Sequence, residues 1–219
     1  MHRHDPSEKT KQEILNAAFR LFREKGWDNV NIEDIVKEVG VTRGAFYHYF
    51  KSREDLIIAV VDKMFYDNNP FEIASKEAGL NALEKLRLAL KLDFAKNIEN
   101  DGMIDELFKA FDNPVIFKSQ FLSQLNTISP YIEKLLLEGN EDGSLSVKYP
   151  KQTAQILAIL PNFWLSHDAL SRDAPHISRQ ELIDKVMFLG FLSEKLGVPI
   201  FDNELKEMLR KFIELFELS

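Results

Sequence analysis

The sequence predicts an all-α protein in which a small N-terminal three-helix unit precedes a larger helical bundle, about 9–10 helices in total. Three observations carry this expectation. Apolar residues recur at three- and four-residue spacing along most of the chain. The segments so defined are separated by Gly, Pro, Asn and Asp, the residues that stop helices and make turns. The one stretch of strand-like alternation, Leu145, Val147 and Tyr149, is too short to found a sheet.

In chain order, Thr10-Lys11-Gln12-Glu13 has the spacing of a capping box and precedes Ile14, Ala18, Leu21 and Phe22, one face of an amphipathic helix. Gly26 is the expected left-handed stop. Asn31 caps a short second helix, with Glu33 and Asp34 in its first turn and Ile32, Ile35, Val36 and Val39 as its apolar positions, ended by Gly40. Thr42 caps a third, running from Arg43 to Phe50. Ser52 caps a fourth, in which Glu54 and Asp55 precede Leu56, Ala59, Val60, Lys63 and Met64. Asp67-Asn68-Asn69-Pro70 is the expected domain break. Beyond it, helical patterns cover residues 81–98, 103–111, 114–137, 150–170, 178–196 and 203–218. Pro130 and Pro161 fall inside such patterns, so a kink or break is expected at each.

The chain has 219 residues, 45% hydrophobic and 29% charged, which suits one large or two small globular domains and excludes disordered and collagenous classes. The longest apolar run, residues 56–61, is far short of the roughly 20 residues that span a bilayer. Met1-His2-Arg3-His4-Asp5-Pro6 opens no apolar leader, so no membrane partner and a cytoplasmic location are expected. Cysteine is absent, which removes disulfides, thiol nucleophiles and zinc–thiolate sites. No nucleophile–base pair, metal-ligand cluster or phosphate-cradling loop is visible. An enzyme, a metal site and a cofactor are therefore not expected.

Net charge is −7, but it is unevenly placed: residues 1–53 carry +2 and residues 54–219 carry −9. Residues 42–53 contain Arg43, Lys51 and Arg53 and no acid. An acidic body with one small basic face fits a DNA reader with few, local phosphate contacts. Residues 32–50 form helix, glycine turn and helix, the helix-turn-helix arrangement. Val36 and Phe46 lie on the faces that must meet, closing a small core with Phe22 and Trp27. Phe46 and Phe50 are expected inside. Tyr47 and His48 are expected outside, because each buried polar tip would need its own partner. Arg43 and Tyr47 share a helix face, and Gly44 removes bulk where a helix would press on DNA.

Residues 10–56 resemble the DNA-binding domain of the TetR family of bacterial transcriptional regulators. The likeness rests on Gly26-Trp27, on Val39-Gly40-Val41, and on Thr42-Arg43-Gly44-Ala45-Phe46-Tyr47-His48-Tyr49-Phe50-Lys51-Ser52-Arg53-Glu54-Asp55-Leu56. Val36 and Val39 depart from the usual alanines and Arg53 from the usual lysine. The resemblance implies a helix-turn-helix DNA-binding domain at residues 1–53, a connecting helix at about 53–68 and a ligand-binding and dimerisation domain at residues 70–219. It implies that Arg43 contacts guanine edges and that Thr42 and Tyr47 contact bases or phosphate. Tyr49 and Arg53 would fix register on the phosphates, with His48 a further phosphate candidate and Lys51 a general electrostatic contributor, while Asn31 would hold a phosphate at the second helix's N-terminus and Gly44 would lie close to DNA.

The resemblance further implies a homodimer, through residues 150–170 and 178–196. Ile156, Ile159, Leu160, Phe163 and Trp164, with Ile183, Val186, Met187, Phe191 and Leu192, make these segments apolar on more than one face. It also implies a small-molecule effector of unknown identity. Candidate ligand-binding residues are Asp93, Phe94, Phe108, Phe111, Phe121, Gln124, Tyr131, Phe163, Trp164 and His167, with Asp93 placed to face a cationic or hydroxyl-bearing ligand. The expected function is ligand-responsive repression from a near-palindromic double-stranded operator. An activator or co-regulator of the same fold, and a helical small-molecule-binding protein or enzyme, remain as alternatives.

Overall fold

A computed structural model describes residues 6–67, 69–99, 113–165 and 178–214. It contains α1 (Pro6–Lys25), α2 (Ile32–Val39), α3 (Arg43–Tyr49), α4 (Arg53–Asp67), α5 (Pro70–Ser75), α6 (Ala82–Glu99), α7 (Pro114–Ser123), α8 (Ser129–Asp142), α9 (Pro150–Leu160), α10 (Arg179–Lys195) and α11 (Asn203–Glu214). No strand occurs among the described residues. The expected helix at 103–111 and the last residues of those at 150–170 and 203–218 lie outside them. No described helix is long and apolar enough to cross a membrane. The described residues of Met1–Asn68 and Ala110–Ser119 form one compact unit, and those of Asn69–Lys109 and Gln120–Ser219 form another.

In the first unit α1 packs on α2 and α4, and α2 on α3. The apolar stripe of α1 is its buried face: Ile14, Ala18, Leu21 and Phe22 are all inside. Trp27 stacks on Phe22 with ring centroids 4.3 Å apart. Ile35, Val36, Phe46, Phe50, Leu56 and Val60 complete the core. Two local expectations are corrected. The first helix begins at Pro6, not at Thr10, because proline's fixed φ and missing N–H suit a first helical position. Gly26 has φ 81° but ψ 153°, so it leaves the helix through an extended mirror-image conformation rather than a left-handed cap.

The second unit is tied together at the start of α6. Four backbone N–H groups at a helix start lack intrahelical partners. Here Glu84 N–H donates to Asn81 Oδ1 (2.9 Å), Ala82 N–H to Asp142 Oδ2 (2.8 Å) and Leu83 N–H to Ser144 Oγ (3.3 Å). The end of α8 thereby caps α6. The alternating Leu145-Val147 segment turns both side chains inward without a strand partner. The Asn140 side chain supplies the hydrogen bonds instead, accepting from Val147 N–H and donating to Val147 O. Arg87 of α6 donates to the carbonyls of Pro199 and Ile200, and Leu182, Val186, Leu205, Leu209 and Ile213 join α10 to α11.

Both internal prolines sit at widened turns. A π-helical turn, Gln124–Ile128, leads into Ser129-Pro130, and another, Pro161–Leu165, starts at Pro161. Proline removes one backbone donor and crowds the carbonyl four residues back, so the helix widens locally instead of ending. Polar side chains beside each proline bond back to the preceding turn. Ser129 Oγ donates to Leu125 O, and Asn162 Nδ2 donates to Ala158 O, each at 2.8 Å.

Candidate nucleic-acid interface and apolar cavity

Three caps fix the helix-turn-helix. Asn31 and Asp34 form a reciprocal capping box at α2, with both bonds 3.0 Å long. Gly40 ends α2 in the left-handed region (φ 77°, ψ 28°), and its N–H and that of Val41 both donate to Val36 O. A side chain at that φ would be strained, so glycine sets the sharp change of direction. Thr42 Oγ1 then accepts from Ala45 N–H at 3.1 Å and starts α3.

α3 is seven residues long, about 10 Å of helix. Phe46 is fully buried and holds the helix down, aided by Phe50 at the helix end, their rings 5.6 Å apart. Thr42, Arg43, Gly44, Tyr47 and His48 are exposed, and Tyr49 is half-buried. A Cβ on Gly44 would meet nothing closer than Thr42 Oγ1 at 3.8 Å, so that surface is open to a close approach. The Tyr47 ring stands edge-on to Phe46, and His48 edge-on to Tyr49. Asn31 and Lys51 are exposed at the two flanks.

Arg43 points across the turn to α2. Its Nη1 lies 2.6 Å from Glu33 Oε1, and hydrogen bonding to Tyr47 followed by attraction to Glu33 pushes its pKa further up. Sequence reasoning placed Glu33 only as a first-turn acid. Its partner is ten positions away across a turn, and no short spacing rule links the two.

Arg53 has a second task besides any contact with phosphate. It is half-buried, its Nε donates to Val30 O at 3.0 Å, and its Nη2 donates to Trp27 O. The guanidinium fork thus joins the start of α4 to the turn before α2. Arg53→Ala is expected to lower stability by about 1–3 kcal/mol by leaving these acceptors without a charged donor. Arg53→Lys should recover only part of this, since an ammonium has no planar fork. Thermal melts of both variants check the expectation, and an unchanged midpoint for Arg53→Ala would contradict it.

In the second unit a cavity of about 100 Å³ is walled by α5, α6, α8, α9, α10 and α11, with Phe71, Leu86, Phe94, Leu157, Leu189 and Leu209 among its lining. The one polar side chain among the described lining residues, Ser193, is buried and donates to Gly190 O at 2.8 Å. Of the residues expected to hold a ligand, Phe94 lines this cavity and the other described ones do not. Asp93 is on the exposed side of α6. Phe121 packs edge-on to Phe163, Tyr131 stacks on Phe71, and Trp164 packs edge-on to Phe188. Gln124 is half-buried, and its Oε1 is buried without a hydrogen-bond partner. Phe108, Phe111 and His167 lie outside the described residues. Helical spacing gives the face of a residue relative to its own helix, but not which neighbour covers that face.

A short helix, a left-handed glycine turn and a second helix with an exposed polar face define a helix-turn-helix protein. The sequence model of the family described as "Bacterial regulatory proteins, tetR family" matches residues 14–60. Over 53 residues the chain is 43% identical to the uncharacterised HTH-type transcriptional regulator YvdT of Bacillus subtilis, a match spanning 24% of this chain and 27% of that protein. A TetR-family transcriptional regulator from Pectobacterium atrosepticum superposes with a TM-score of 0.64 at 20% identity, covering 90% of this chain and 98% of that one. RolR in complex with resorcinol superposes at 0.61 and 21% identity, covering 94% and 95%. Residues 14–60 thus match the tetR family's sequence model, and the fold of the chain is similar to that of TetR-family regulators. The sequence match to YvdT covers about a quarter of each chain, and at 20–21% identity the two solved structures speak for the fold.

Proposed function

We propose that the chain is a cytoplasmic, homodimeric transcriptional repressor that holds a near-palindromic operator through α3 of each protomer and leaves it when a small molecule binds the second unit. The observation that carries this reading is the division of α3 into a buried Phe46 and an exposed face of Thr42, Arg43, Gly44, Tyr47 and His48. In this assignment Arg43 reads guanine O6 and N7, and Thr42 and Tyr47 reach bases or phosphate beside it. Asn31, His48, Tyr49, Lys51 and Arg53 set register on the phosphates, and Gly44 admits the DNA backbone. Residues 1–53 are the DNA-binding domain and residues 70–219 the effector and dimerisation domain. Selection of bound duplexes from random DNA with the full chain tests the reading. Enrichment of two inverted half-sites about one helical turn apart, roughly 34–36 Å, is expected. Failure to enrich any duplex overturns it.

Dimerisation is supported by an apolar patch on the outside of the second unit. Met187, Phe188 and Phe191 of α10 are about half exposed, and α9 adds Ile156. Lys185 and Lys195 sit over the Trp164 and Phe191 rings at the margin. Contiguous exposed aromatics of this kind mark association surfaces. Gly190, by contrast, faces inward: a Cβ there would lie 3.1 Å from Phe201 of the same chain. Phe188→Glu is expected to weaken the dimer at least about tenfold, since a carboxylate would be buried unpaired. Sedimentation velocity checks this, and an unchanged dimer mass at low concentration would contradict it.

The cavity sets the effector's chemistry. Among the described residues its lining carries no charged group, and the hydroxyl of Ser193 already has a partner, so an ionic or strongly hydrogen-bonding ligand would lose solvation without compensation. The fitting effector is neutral, largely hydrocarbon and about the size of a single ring, comparable to molecules held by dry cavities of roughly 150 Å³. RolR, of similar fold, is solved with resorcinol, a single ring with two hydroxyls, which agrees with the size of the effector and not with its polarity. Toluene is expected to raise the melting temperature and release operator, while benzoate and benzylamine do neither. Equal responses to all three would reject this effector class.

A further inference from the structure

The ion pair between Glu33 and Arg43 has no evident purpose in folding. Both side chains are more than half exposed, at 55% and 61%, and exposed pairs of this kind contribute little to stability. Nor does α2 need Glu33 for its cap, because Asn31 and Asp34 already form the box. Yet Glu33 places a carboxylate beside the side chain assigned to read bases, on the surface that would face phosphates. Its negative charge is favoured there by the N-terminus of α2, in whose first turn it lies. A carboxylate at that position opposes any DNA held by phosphate attraction alone. Together with the hydrogen bond to Tyr47 it holds part of a guanidinium whose five donors are not all used by these two partners.

We propose that Glu33 is a positioning and specificity-determining residue: it holds Arg43 in the orientation that meets a guanine edge and penalises binding to non-operator DNA. This rests on the DNA-reading role proposed for α3. On random sequence, a flexible Arg43 would swing to the nearest phosphate and add a non-specific contact. The pair with Glu33 restrains that swing, and the carboxylate repels the backbone that invites it. On operator, Arg43 keeps Glu33 on one side and guanine on the other, so the charge of Glu33 is balanced where the correct base is present. Specificity then comes from a cost applied to wrong partners as well as from a contact made to the right one.

The experiment compares wild type, Glu33→Gln, Arg43→Ala and the double variant, each as the full chain, on the selected operator and on a random duplex of equal length over a salt series. Glu33→Gln is expected to raise random-duplex affinity several-fold, with operator affinity rising less or falling, so that the ratio of the two drops at least fivefold. Its melting temperature should stay at the wild-type value, which separates positioning from folding. In the Arg43→Ala background, Glu33→Gln should raise both affinities alike and leave the ratio unchanged. An equal rise on both duplexes in the presence of Arg43 would show that Glu33 is only a repelling charge and would overturn the proposal. If wild type itself shows no operator preference, the DNA-reading role of α3 fails first, and the two failures are thereby distinguished.

Discussion

Phe46→Ala is expected to destabilise the helix-turn-helix unit by about 3–5 kcal/mol, the range for emptying a large aromatic site in a packed core. Phe46 is fully buried. It is the one fully buried residue within α3, a helix of seven residues too short to persist without tertiary contacts. Its ring touches those of Tyr47 and Phe50, so the cavity left by alanine would also loosen the exposed face. Amide hydrogen exchange in residues 14–60 should accelerate by orders of magnitude, and operator binding should be lost with the fold. Tyr47→Ala, at the adjacent exposed position, is the control and should change stability little while weakening binding. Wild-type exchange rates in Phe46→Ala would contradict the packing described for α3.

The second large effect concerns recognition rather than folding. Arg43→Ala is expected to cost about 1–3 kcal/mol on operator and to relax preference at a single base pair in each half-site. The reason is geometric: Arg43 is the one basic residue within the exposed first turn of α3, next to Gly44, where the surface is open. Because the side chain already pairs with Glu33, its removal takes one positive and one oriented group away together. Random-duplex affinity should therefore change much less than operator affinity. Lys51, exposed beyond the helix end, should behave oppositely when changed to alanine, weakening all duplexes alike and lowering the salt slope by about one. Competition binding on operator and random duplexes separates the two patterns.

Local chemistry explains why the N-terminal unit was legible in the sequence. Asn31, Thr42 and Ser52 each cap the helix that follows, because a short side chain accepting a nearby N–H acts over three residues. Gly40 ends α2 for an equally local reason, its freedom at positive φ. Thr10 misled because a capping pattern can recur inside a helix that an earlier proline has already started. In the second unit the decisive contacts are distant. Asp142 caps a helix 60 residues away, and Arg87 holds carbonyls 112 and 113 residues away. The cavity is lined mostly by aliphatic residues from six helices, so of the aromatics singled out in the sequence only Phe94 pointed to it among the described residues, and the Asp93 carboxylate did not. Likewise, Pro130 and Pro161 marked irregularities, but the proline alone does not say whether a helix breaks or widens, and both sit at π-helical turns.

Methylation interference at guanine N7, an atom that lies in the major groove, tests most directly whether α3 reads DNA. The selected operator is partially methylated, bound to wild type or to Arg43→Ala, and the excluded modifications are mapped. One symmetry-related guanine in each half-site should exclude wild type when methylated and should no longer distinguish methylated from unmodified DNA in Arg43→Ala. Identical interference patterns for the two proteins, or none at any guanine N7 of an operator that contains guanine, would contradict the account.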